Sequence, residues 1–450
     1  MFGVNSINKT KLGGGFNPSP NSVYQVSQNF KNRVLANGGT FEAQTCLQNY
    51  LNSLGQSLYN KASLIITPNA YKASKIYSLK PTNGSGDLTF ARASSRTRRN
   101  SSGVIESLAN NVPALNYPVS GCPAWLFEPQ RTNILGNDLL TASGATITNS
   151  AWALYPSVKS FDVSNITNVN YLVLYPTLSP GVVSFSFYIA KKTSSSIPFS
   201  VQYHQSGLDN TDFTLNMDTG AITSVTGGTV VPLETTGGYF RVGVITTISA
   251  TRNQMRITAS GAGTYDFYIS GIQLEVASYP SSWIPTTTTS VTRLNDIASL
   301  VRNVPTEATI YADTYLQAGS LSDGDVYSIF ELRVTGTQRV SLYRFNNQIY
   351  ADIVNSTVQF SDSIYNIPTL VQGQRYRIAV RLTATQMVVF INGAIVYTSA
   401  TLSMPNFSSG NTIYHGNLAG NTAVWGGLLG PLYIADSALS NDECISLTTN

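Results

Sequence analysis

Charge is scarce in this sequence. Of 450 residues only 27 are Lys or Arg and 23 are Asp or Glu, so the formal net charge is +4. So small a charge on so long a chain does not favour a nucleic acid or a membrane as a partner of the whole surface. The hydrophobic content of 42% excludes a disordered polymer, and Ser, Thr, Asn, Gln and Tyr must therefore cover a folded surface. This composition is typical of a β-protein.

Histidine and cysteine are also scarce. His204 and His415 stand far apart and outside any H-E-x-x-H arrangement, so histidine-based metal or acid–base chemistry is poorly supplied and a surface or loop position is favoured for each. Cys46, Cys122 and Cys444 are odd in number and form no C-x-x-C motif. They predict buried thiols rather than a disulfide framework or a cysteine metal site.

Long apolar runs and nucleotide or hydrolase motifs are absent. The start, MFGVNSINKTKLGGGF, has no apolar core of about 7–15 residues, and no run approaches the roughly 20 residues of a membrane span. We therefore expect a soluble protein made in the host cytoplasm, with no membrane insertion. There is no G-x-S-x-G elbow, and Gly13 to Gly15 lacks the following Lys-Ser/Thr of a phosphate-binding loop.

Two acidic pairs are the remaining candidates for chemistry. Asp209 and Asp212 in DNTD, and Asp323 and Asp325 in DGD, have oxygen ligands at a spacing that suits calcium. Solvated turn residues are the favoured interpretation, because Asp is common in turns. A glycosidase would need two acids across a cleft, which sequence cannot place. We predict no catalytic, cofactor-binding or metal-binding residue.

The first 62 residues predict an arm and one helix. Residues 1–40 are rich in Gly, Asn and Ser and indicate an extended arm. After them, apolar residues recur at helical spacing, with Thr40 as the expected N-cap, Glu42 in the first turn and Gly55 as a weak point; they are Leu47, Tyr50, Leu51, Leu54 and Leu58.

Beyond residue 64 the pattern predicts two β-sandwiches. Alternating segments over 182–190, 239–248 and 264–276 belong to the first, and the second follows Pro305. In the second, Asn392-Gly393 between two apolar runs predicts a hairpin. The segment 286–296 is the expected seam. The four tryptophans lie in apolar contexts, so burial is favoured over sugar stacking for Trp125, Trp152, Trp283 and Trp425.

Four arginines stand close together in LTFARASSRTRRNSSGVIE, at Arg92, Arg96, Arg98 and Arg99. This block and the CPAWLFEPQRTNIL that follows it resemble a block of structural proteins of tailed bacteriophages. The matching positions are Phe90, Arg92, Ser94, Thr97, Arg98, Gly103, Ile105, Glu106, Val112, Pro113, Tyr117 and Glu128 to Asn133; Arg99 departs from the pattern, where an apolar residue is expected. The resemblance implies an ordered strand pair whose arginines bind carbonyls and carboxylates such as Glu106 or Glu128, not a nucleic acid.

Two further segments resemble domains of the same phage proteins. YISGIQLEVASYPSSWIPTTTTSVTRLND is similar to the closing strand of a carbohydrate-binding-like jelly roll, with matches at Gln273, Leu274, Glu275, Ile284, Pro285, Thr286 and Arg293. The segments 376–396 and 426–447 resemble a concanavalin A-like, laminin G-type sandwich, which specifies a fold better than a ligand. The N-terminal segment is similar to the start of virion proteins of crAss-like phages.

These resemblances imply a mainly β protein in four segments. We expect a virion-attaching arm and helix (1–62), a β connector (63–135), a jelly roll (136–296) and a laminin G-like sandwich (297–450). The implied function is that of a non-enzymatic virion component, a projecting head or tail fibre. Its expected partners are itself, as a homotrimer, other virion proteins through the N-terminal segment, and surface glycans bound weakly and multivalently.

Two alternatives stay open. One is a decoration protein of the capsid or connector that has no external ligand. The other is a polysaccharide depolymerase, which would require Asp209, Asp212, Asp323 and Asp325 to supply its acids.

Overall fold

The computed structural model describes residues 20–118, 121–204, 208–315, 325–366, 374–407, 410–420 and 423–449. Its helices are α1 (Pro20–Ala36), α2 (Gln44–Lys61), a 3-10 helix (Asn137–Leu139) and α3 (Asn441–Thr449). The first strands are β1 (Thr40–Phe41), β2 (Ala62–Lys72), β3 (Lys75–Lys80), β4 (Leu88–Ala91), β5 (Arg96–Arg99), β6 (Ile105–Leu108), β7 (Leu115–Asn116) and β8 (Ala124–Phe127). The middle strands are β9 (Arg131–Asn133), β10 (Thr141–Ser143), β11 (Thr146–Trp152), β12 (Tyr155–Ile166), β13 (Tyr171–Leu174), β14 (Gly181–Lys191), β15 (Ser196–His204), β16 (Leu208–Asn216), β17 (Ile222–Thr226), β18 (Thr229–Thr236), β19 (Tyr239–Ile248), β20 (Gln254–Ala259), β21 (Tyr265–Glu275) and β22 (Val291–Arg293). The last strands are β23 (Ile297–Val301), β24 (Ala308–Tyr315), β25 (Val326–Thr335), β26 (Gln338–Phe345), β27 (Gln348–Asn355), β28 (Thr357–Asn366), β29 (Arg375–Leu382), β30 (Met387–Ile391), β31 (Ala394–Thr398), β32 (Thr412–His415) and β33 (Gly427–Ala435).

One sandwich is built from both ends of the chain, and we call it the split sandwich. Its first layer has the order β3–β2–β33–β24–β29–β30–β31. Its second layer has the order β4–β23–β32–β25–β26–β27–β28, and β3 pairs with β4 across the edge. Strands from the segment 63–135 therefore lie in the same sandwich as strands from 297–450. The division of the chain into four segments stays a prediction.

The other sandwich, the inserted sandwich, lies between β8 and β23 in the sequence. Its two sheets have the orders β10–β13–β20–β15–β16–β17 and β11–β12–β21–β14–β19–β18. Buried Phe, Val, Leu and Ile side chains fill the space between them. The chain enters through β9 and leaves through β22, and these two strands pair antiparallel to form what we call the neck. The neck coincides with the seam predicted at 286–296.

The predicted strands and hairpin are confirmed. Segments 182–190, 239–248 and 264–276 correspond to β14, β19 and β21. Asn392 and Gly393 connect β30 to β31 with φ values of 48° and 85°. Positive φ at both positions is what the tight hairpin turn requires, and Asn-Gly tolerates it best. Local chemistry therefore determined these elements.

The expected extended arm at 1–40 is wrong over its described part, because residues 20–36 form α1. Pro20 stands at the start, where a proline does no harm to a helix. Val23, Phe30 and Val34 lie on one face and are buried against the outer face of the first layer, together with α2 and α3. Gly38, at φ 68°, follows the helix end. Because this face has few apolar residues, the helix depends on its packing against the first layer for stability.

The second helix is confirmed, with a different start. It begins at Gln44 rather than at Thr40, which is part of β1, and its leucines are buried as expected. Glu42 lies before the helix and accepts hydrogen bonds from the hydroxyls of Tyr71 (2.7 Å) and Tyr117 (2.9 Å). Gly55 has φ 73° and breaks the helical backbone.

The prediction of three buried thiols is wrong for two of the cysteines. Cys46 on α2 and Cys122 before β8 form a disulfide between residues 76 positions apart. Only Cys444 is a free, buried thiol among the cysteines. No spacing motif indicated the pair, because the tertiary fold brings the two segments together.

The surface or loop position predicted for the histidines holds for His204, which is partly exposed at the end of β15, and fails for His415. His415 points into the core of the split sandwich, with its ring 5.8 Å from that of Phe127. Neither of its ring nitrogens has a hydrogen-bond partner. Burial lowers its pKa from 6.5 to about 4.

Replacing His415 with Leu is expected to flatten the pH dependence of stability between pH 6.5 and pH 4. The unfolded state takes up the proton more readily than the folded state, so the wild-type chain loses stability as the pH falls through this window. The loss from this group reaches about 3 kcal/mol near pH 4. Urea unfolding at a series of pH values measures it.

His204→Gln is the matched control. His204 is partly exposed and its Nε2 lies 2.9 Å from Oε1 of Gln202. The control should keep the loss of stability that His415→Leu removes. Equal pH slopes in wild-type and His415→Leu protein would contradict the assignment.

Candidate functional site

A buried network of charged side chains lies at the neck. Arg96 contacts Glu128 (Nη2 to Oε2, 2.5 Å) and Asp296 (Nη1 to Oδ2, 2.6 Å). Arg92 contacts Asp296 (3.0 Å) and Arg293 contacts Glu128 (2.8 Å). All five side chains have 0% exposure. We call these five residues the neck network; they come from β5, β22, the connection between β4 and β5, and the connections on either side of the inserted sandwich.

Glu128 stays ionised inside the neck network. Burial alone would raise the pKa of Glu128, but Arg293, Arg96 and the hydrogen bonds from Ser282 lower it to about 2. Burial lowers the pKa of Arg92 to about 10, which Asp296 partly offsets. Glu128 and Arg92 are therefore charged at neutral pH, and each charge depends on its partners because the side chains are buried.

The structural interpretation of the arginine cluster is confirmed. β5 pairs with β6, with Arg98 opposite Glu106 and their side chains 2.5 Å apart, and Arg98 also contacts Glu42 (3.1 Å). Glu128, the other carboxylate expected to bind the cluster, contacts Arg96. Arg99, the departure from the phage pattern, is half-buried, and its Nε donates to the carbonyl of Gly103 at 3.4 Å. None of these contacts leaves the cluster available for a nucleic acid.

The neck network positions one wall of a cleft between the neck and the split sandwich. The backbone N–H of Glu128 donates to Oδ2 of Asp296 (2.9 Å), and that of Asp296 donates to the carbonyl of Glu128 (3.1 Å). The residues that follow Glu128 and precede Asp296 face a cleft of about 620 Å³. Its described lining residues are Pro129, Gln130, Arg131, Asn295, Asp325, Val326, Tyr327, Leu418, Ala423 and Val424.

Two tyrosines and two arginines stack beside and beneath the cleft. The guanidinium of Arg131 lies 5.0 Å from the ring centroid of Tyr279, and that of Arg344 lies 4.1 Å from the centroid of Tyr327. The two rings are 6.1 Å apart. Each cation therefore lies against an aromatic face, which holds it in place. Burial raises the pKa of Tyr279 to about 12, so its hydroxyl stays protonated at neutral pH.

The cleft combines polar groups with an apolar wall. Gln130 and Asp325 are exposed and Asn295 is partly exposed, while Val424 and Ala423 form the apolar side. A volume of a few hundred Å³ and a few converging polar groups are usual features of a small-molecule site. The arrangement can bind a hydroxylated ligand through side-chain amides, a carboxylate and a guanidinium.

The structure separates the acidic residues named from the sequence. Asp209 and Asp212 lie on β16 rather than in a turn; Asp209 contacts Arg252 (2.7 Å), and Asp212 accepts from Asn210 (2.8 Å). Asp323 lies outside the described residues, while Asp325 is in the cleft. Across the described part of the chain, no group of three or more His, Cys, Asp or Glu side chains could hold a metal ion.

The predicted burial of all four tryptophans is confirmed, with exposures of 4% or less for Trp125, Trp152, Trp283 and Trp425. Trp125 and Trp425 pack in the core of the split sandwich, Trp152 and Trp283 pack in a separate cluster with Ile105, and none of the four lines the cleft. Sequence reasoning named no cleft residue as a ligand-binding one. Three sequence segments contained residues of the cleft: EPQRTN and TRLND, which meet at the neck, and DGD.

No protein-family model and no curated protein matches this sequence. Among solved structures, the IT-sialidase CBM40 of Ruminococcus gnavus, bound to α2,3-sialyllactose, is similar over 33% of this chain and 85% of its own, at 16% identity and a TM-score of 0.28. Mouse laminin α1 domains LG4-5 are similar over 62% of this chain and 91% of their own, at 14% identity and a TM-score of 0.24. Sheep galectin-11 is similar over 30% and 95%, at 10% identity and a TM-score of 0.23. Similarities this distant carry no argument about the ligand of this chain.

No helix among the described residues is both long enough and apolar enough to cross a membrane.

Proposed function

We propose that this chain is a non-enzymatic structural protein of a tailed-phage particle, a projecting head or tail fibre that adheres weakly to surface glycans. The resemblance of the arginine block and the closing-strand block to phage structural proteins supports the virion role. Both blocks contribute to the neck, where Arg96 and Arg293 share Glu128. Glycans are proposed as the external ligand.

The cleft is the observation that carries the adhesive part of the proposal. Gln130, Asn295 and Asp325 offer hydrogen-bond donors and acceptors at its rim, and Val424 offers an apolar surface. Sugars present hydroxyls on their edges and C–H groups on their faces, and they need both kinds of partner. Among the described lining residues Asp325 supplies the one carboxylate, whereas a glycosidase requires two.

Weak binding at one cleft is sufficient on a particle. A homotrimer, which remains part of the proposal, would present three clefts, and many fibres would present more. Linked sites act at a high effective concentration, so overall adhesion exceeds the affinity of a single site by orders of magnitude.

Replacing both Gln130 and Asp325 with Ala is expected to weaken glycan binding about tenfold or more, because two rim hydrogen bonds of roughly 1 kcal/mol each are lost. A glycan array followed by calorimetry on its best ligand measures the loss. Both side chains are exposed, so the unfolding midpoint should stay unchanged.

Asp218→Ala is the control, since Asp218 is an exposed aspartate of the inserted sandwich outside the cleft. It should bind like the wild type. If the wild type releases reducing ends from a bound polysaccharide and Asp325→Ala does not, the function is that of a depolymerase rather than an adhesin. If the protein binds no glycan, while antibodies against it label intact phage particles, the alternative of a decoration protein is favoured.

A further inference from the structure

Arg131 differs from the arginine beside it in the neck. Arg131 on β9 stands directly opposite Arg293 on β22. Arg293 has a carboxylate partner in Glu128 at 2.8 Å, whereas Arg131 forms no salt bridge with any described residue. Like charges directly opposite each other destabilise a strand pair, and the carboxylate offsets that repulsion on one side only. Among the described residues, Arg131 therefore has no carboxylate in direct contact.

The hydrogen-bonding capacity of Arg131 is also mostly unused. Its Nη1 donates to the carbonyl of Gln130 at 3.1 Å, and its Nε is buried without an acceptor. Burial alone would lower the pKa of Arg131, but Tyr279, Glu275, Tyr327 and Asp325 raise it, so the guanidinium stays charged. Its position over the Tyr279 ring fixes it at the cleft wall.

The nearby carboxylates are engaged elsewhere. Glu275 accepts from the N–H (2.8 Å) and hydroxyl (2.5 Å) of Ser281. Oδ2 of Asp325 accepts from the hydroxyl of Tyr327 at 3.4 Å. Both carboxylates raise the pKa of Arg131, but no salt bridge joins either of them to its guanidinium. A ligand in the cleft can therefore supply the direct charged acceptor that Arg131 lacks among the described residues.

We infer that the cleft selects an acidic saccharide, whose carboxylate binds the guanidinium of Arg131 while its hydroxyls bind Gln130, Asn295 and Asp325. This inference rests on the proposed glycan adhesion and adds the class of ligand. A guanidinium suits a carboxylate because it offers several N–H donors in one plane with a permanent charge. A neutral sugar would leave the unused N–H donors of Arg131 without a charged acceptor.

The test compares ligands that differ only in charge. Trigalacturonate and sialyllactose are each titrated against their methyl esters by calorimetry with the full-length protein. The wild type should prefer at least one acid over its ester by about tenfold, because an ester carbonyl accepts a weaker hydrogen bond than a carboxylate. Rising salt should reduce this preference. Arg131→Gln should abolish it, and Arg131→Lys should retain part of it.

Arg256→Gln is the matched control. Arg256 also lies over a tyrosine ring, with its guanidinium 4.3 Å from the centroid of Tyr171, but it is in the inserted sandwich and outside the cleft. It should keep the preference of the wild type. Equal affinity for each acid and its ester would overturn the acidic class and leave glycan adhesion standing. An equal loss in Arg131→Gln and Arg256→Gln would reduce the effect to net charge and overturn the role of Arg131. Failure of all four probes to bind would overturn the inference together with the proposed adhesion.

Discussion

Glu128→Gln should lower the free energy of unfolding by about 3–5 kcal/mol, because it leaves the buried guanidiniums of Arg96 and Arg293 without a full countercharge. Glu128 has 0% side-chain exposure and also accepts hydrogen bonds from the N–H (2.7 Å) and hydroxyl (2.5 Å) of Ser282. Water cannot compensate the lost charge at this depth. Urea unfolding at pH 7, followed by circular dichroism, measures the difference.

The same substitution should change the acid sensitivity of the protein. The folded pKa of Glu128 is about 2, below its ordinary value of 4.5. Its contribution to stability is therefore fully present above pH 4.5 and is lost as the pH falls toward 2. The difference amounts to about 3 kcal/mol. Glu128→Gln should remove this pH dependence.

Glu106→Gln is the appropriate comparison. Glu106 also pairs with an arginine, Arg98, at 2.5 Å, but its side chain is 35% exposed. Partly exposed ion pairs contribute roughly 0–1 kcal/mol, so this variant should lose far less stability. Similar losses in both variants would mean that burial of the neck network does not determine its contribution.

Deleting residues 1–90 should unfold the split sandwich, although most of that sandwich lies at the other end of the sequence. β2 pairs with β33 through Leu64, Ile65 and Ile66, and β3 and β4 complete the edges of the two layers. The deletion removes these strands and the helices that cover the first layer. Circular dichroism and limited proteolysis should show digestion within 297–450.

Two further truncations make the result specific. Deletion of residues 1–19 alone removes none of these strands and should leave the unfolding midpoint unchanged. A fragment of residues 130–294 should fold alone, because its core is internal and its ends pair through β9 and β22. A cooperative unfolding transition of residues 297–450 after deletion of 1–90 would show that the N-terminal strands are dispensable.

Much of the fold was readable from local pattern. Alternation predicted β14, β19 and β21, and the Asn-Gly pair predicted the turn after β30, because side-chain direction and backbone φ depend on adjacent residues. Helix α1 was not predicted because Ser27 lies on its buried face and interrupts the helical spacing of apolar residues. The burial of His415 was not predicted because polar residues usually lie at the protein surface.

The candidate site was only partly visible. The resemblance of EPQRTN and TRLND drew attention to Glu128, Arg131 and Arg293, and the expected contact of Arg96 with Glu128 is confirmed. Asp325 appeared as one member of an acidic pair, with no indication of its neighbours. Tyr279, Tyr327 and Arg344 carried no signal, since tyrosine is frequent throughout the chain.

By itself the sequence determined the mainly β class and the two sandwiches, because these depend on periodicity and turn chemistry, and it predicted the structural role of the arginine cluster. Only the tertiary structure decided which distant segments meet. It paired β2 with β33, joined Cys46 to Cys122 and closed the neck between β9 and β22. Such contacts depend on complementary surfaces far apart in sequence, and no local pattern records them. The cleft, with Arg131 in its wall, exists only as a consequence of that closure.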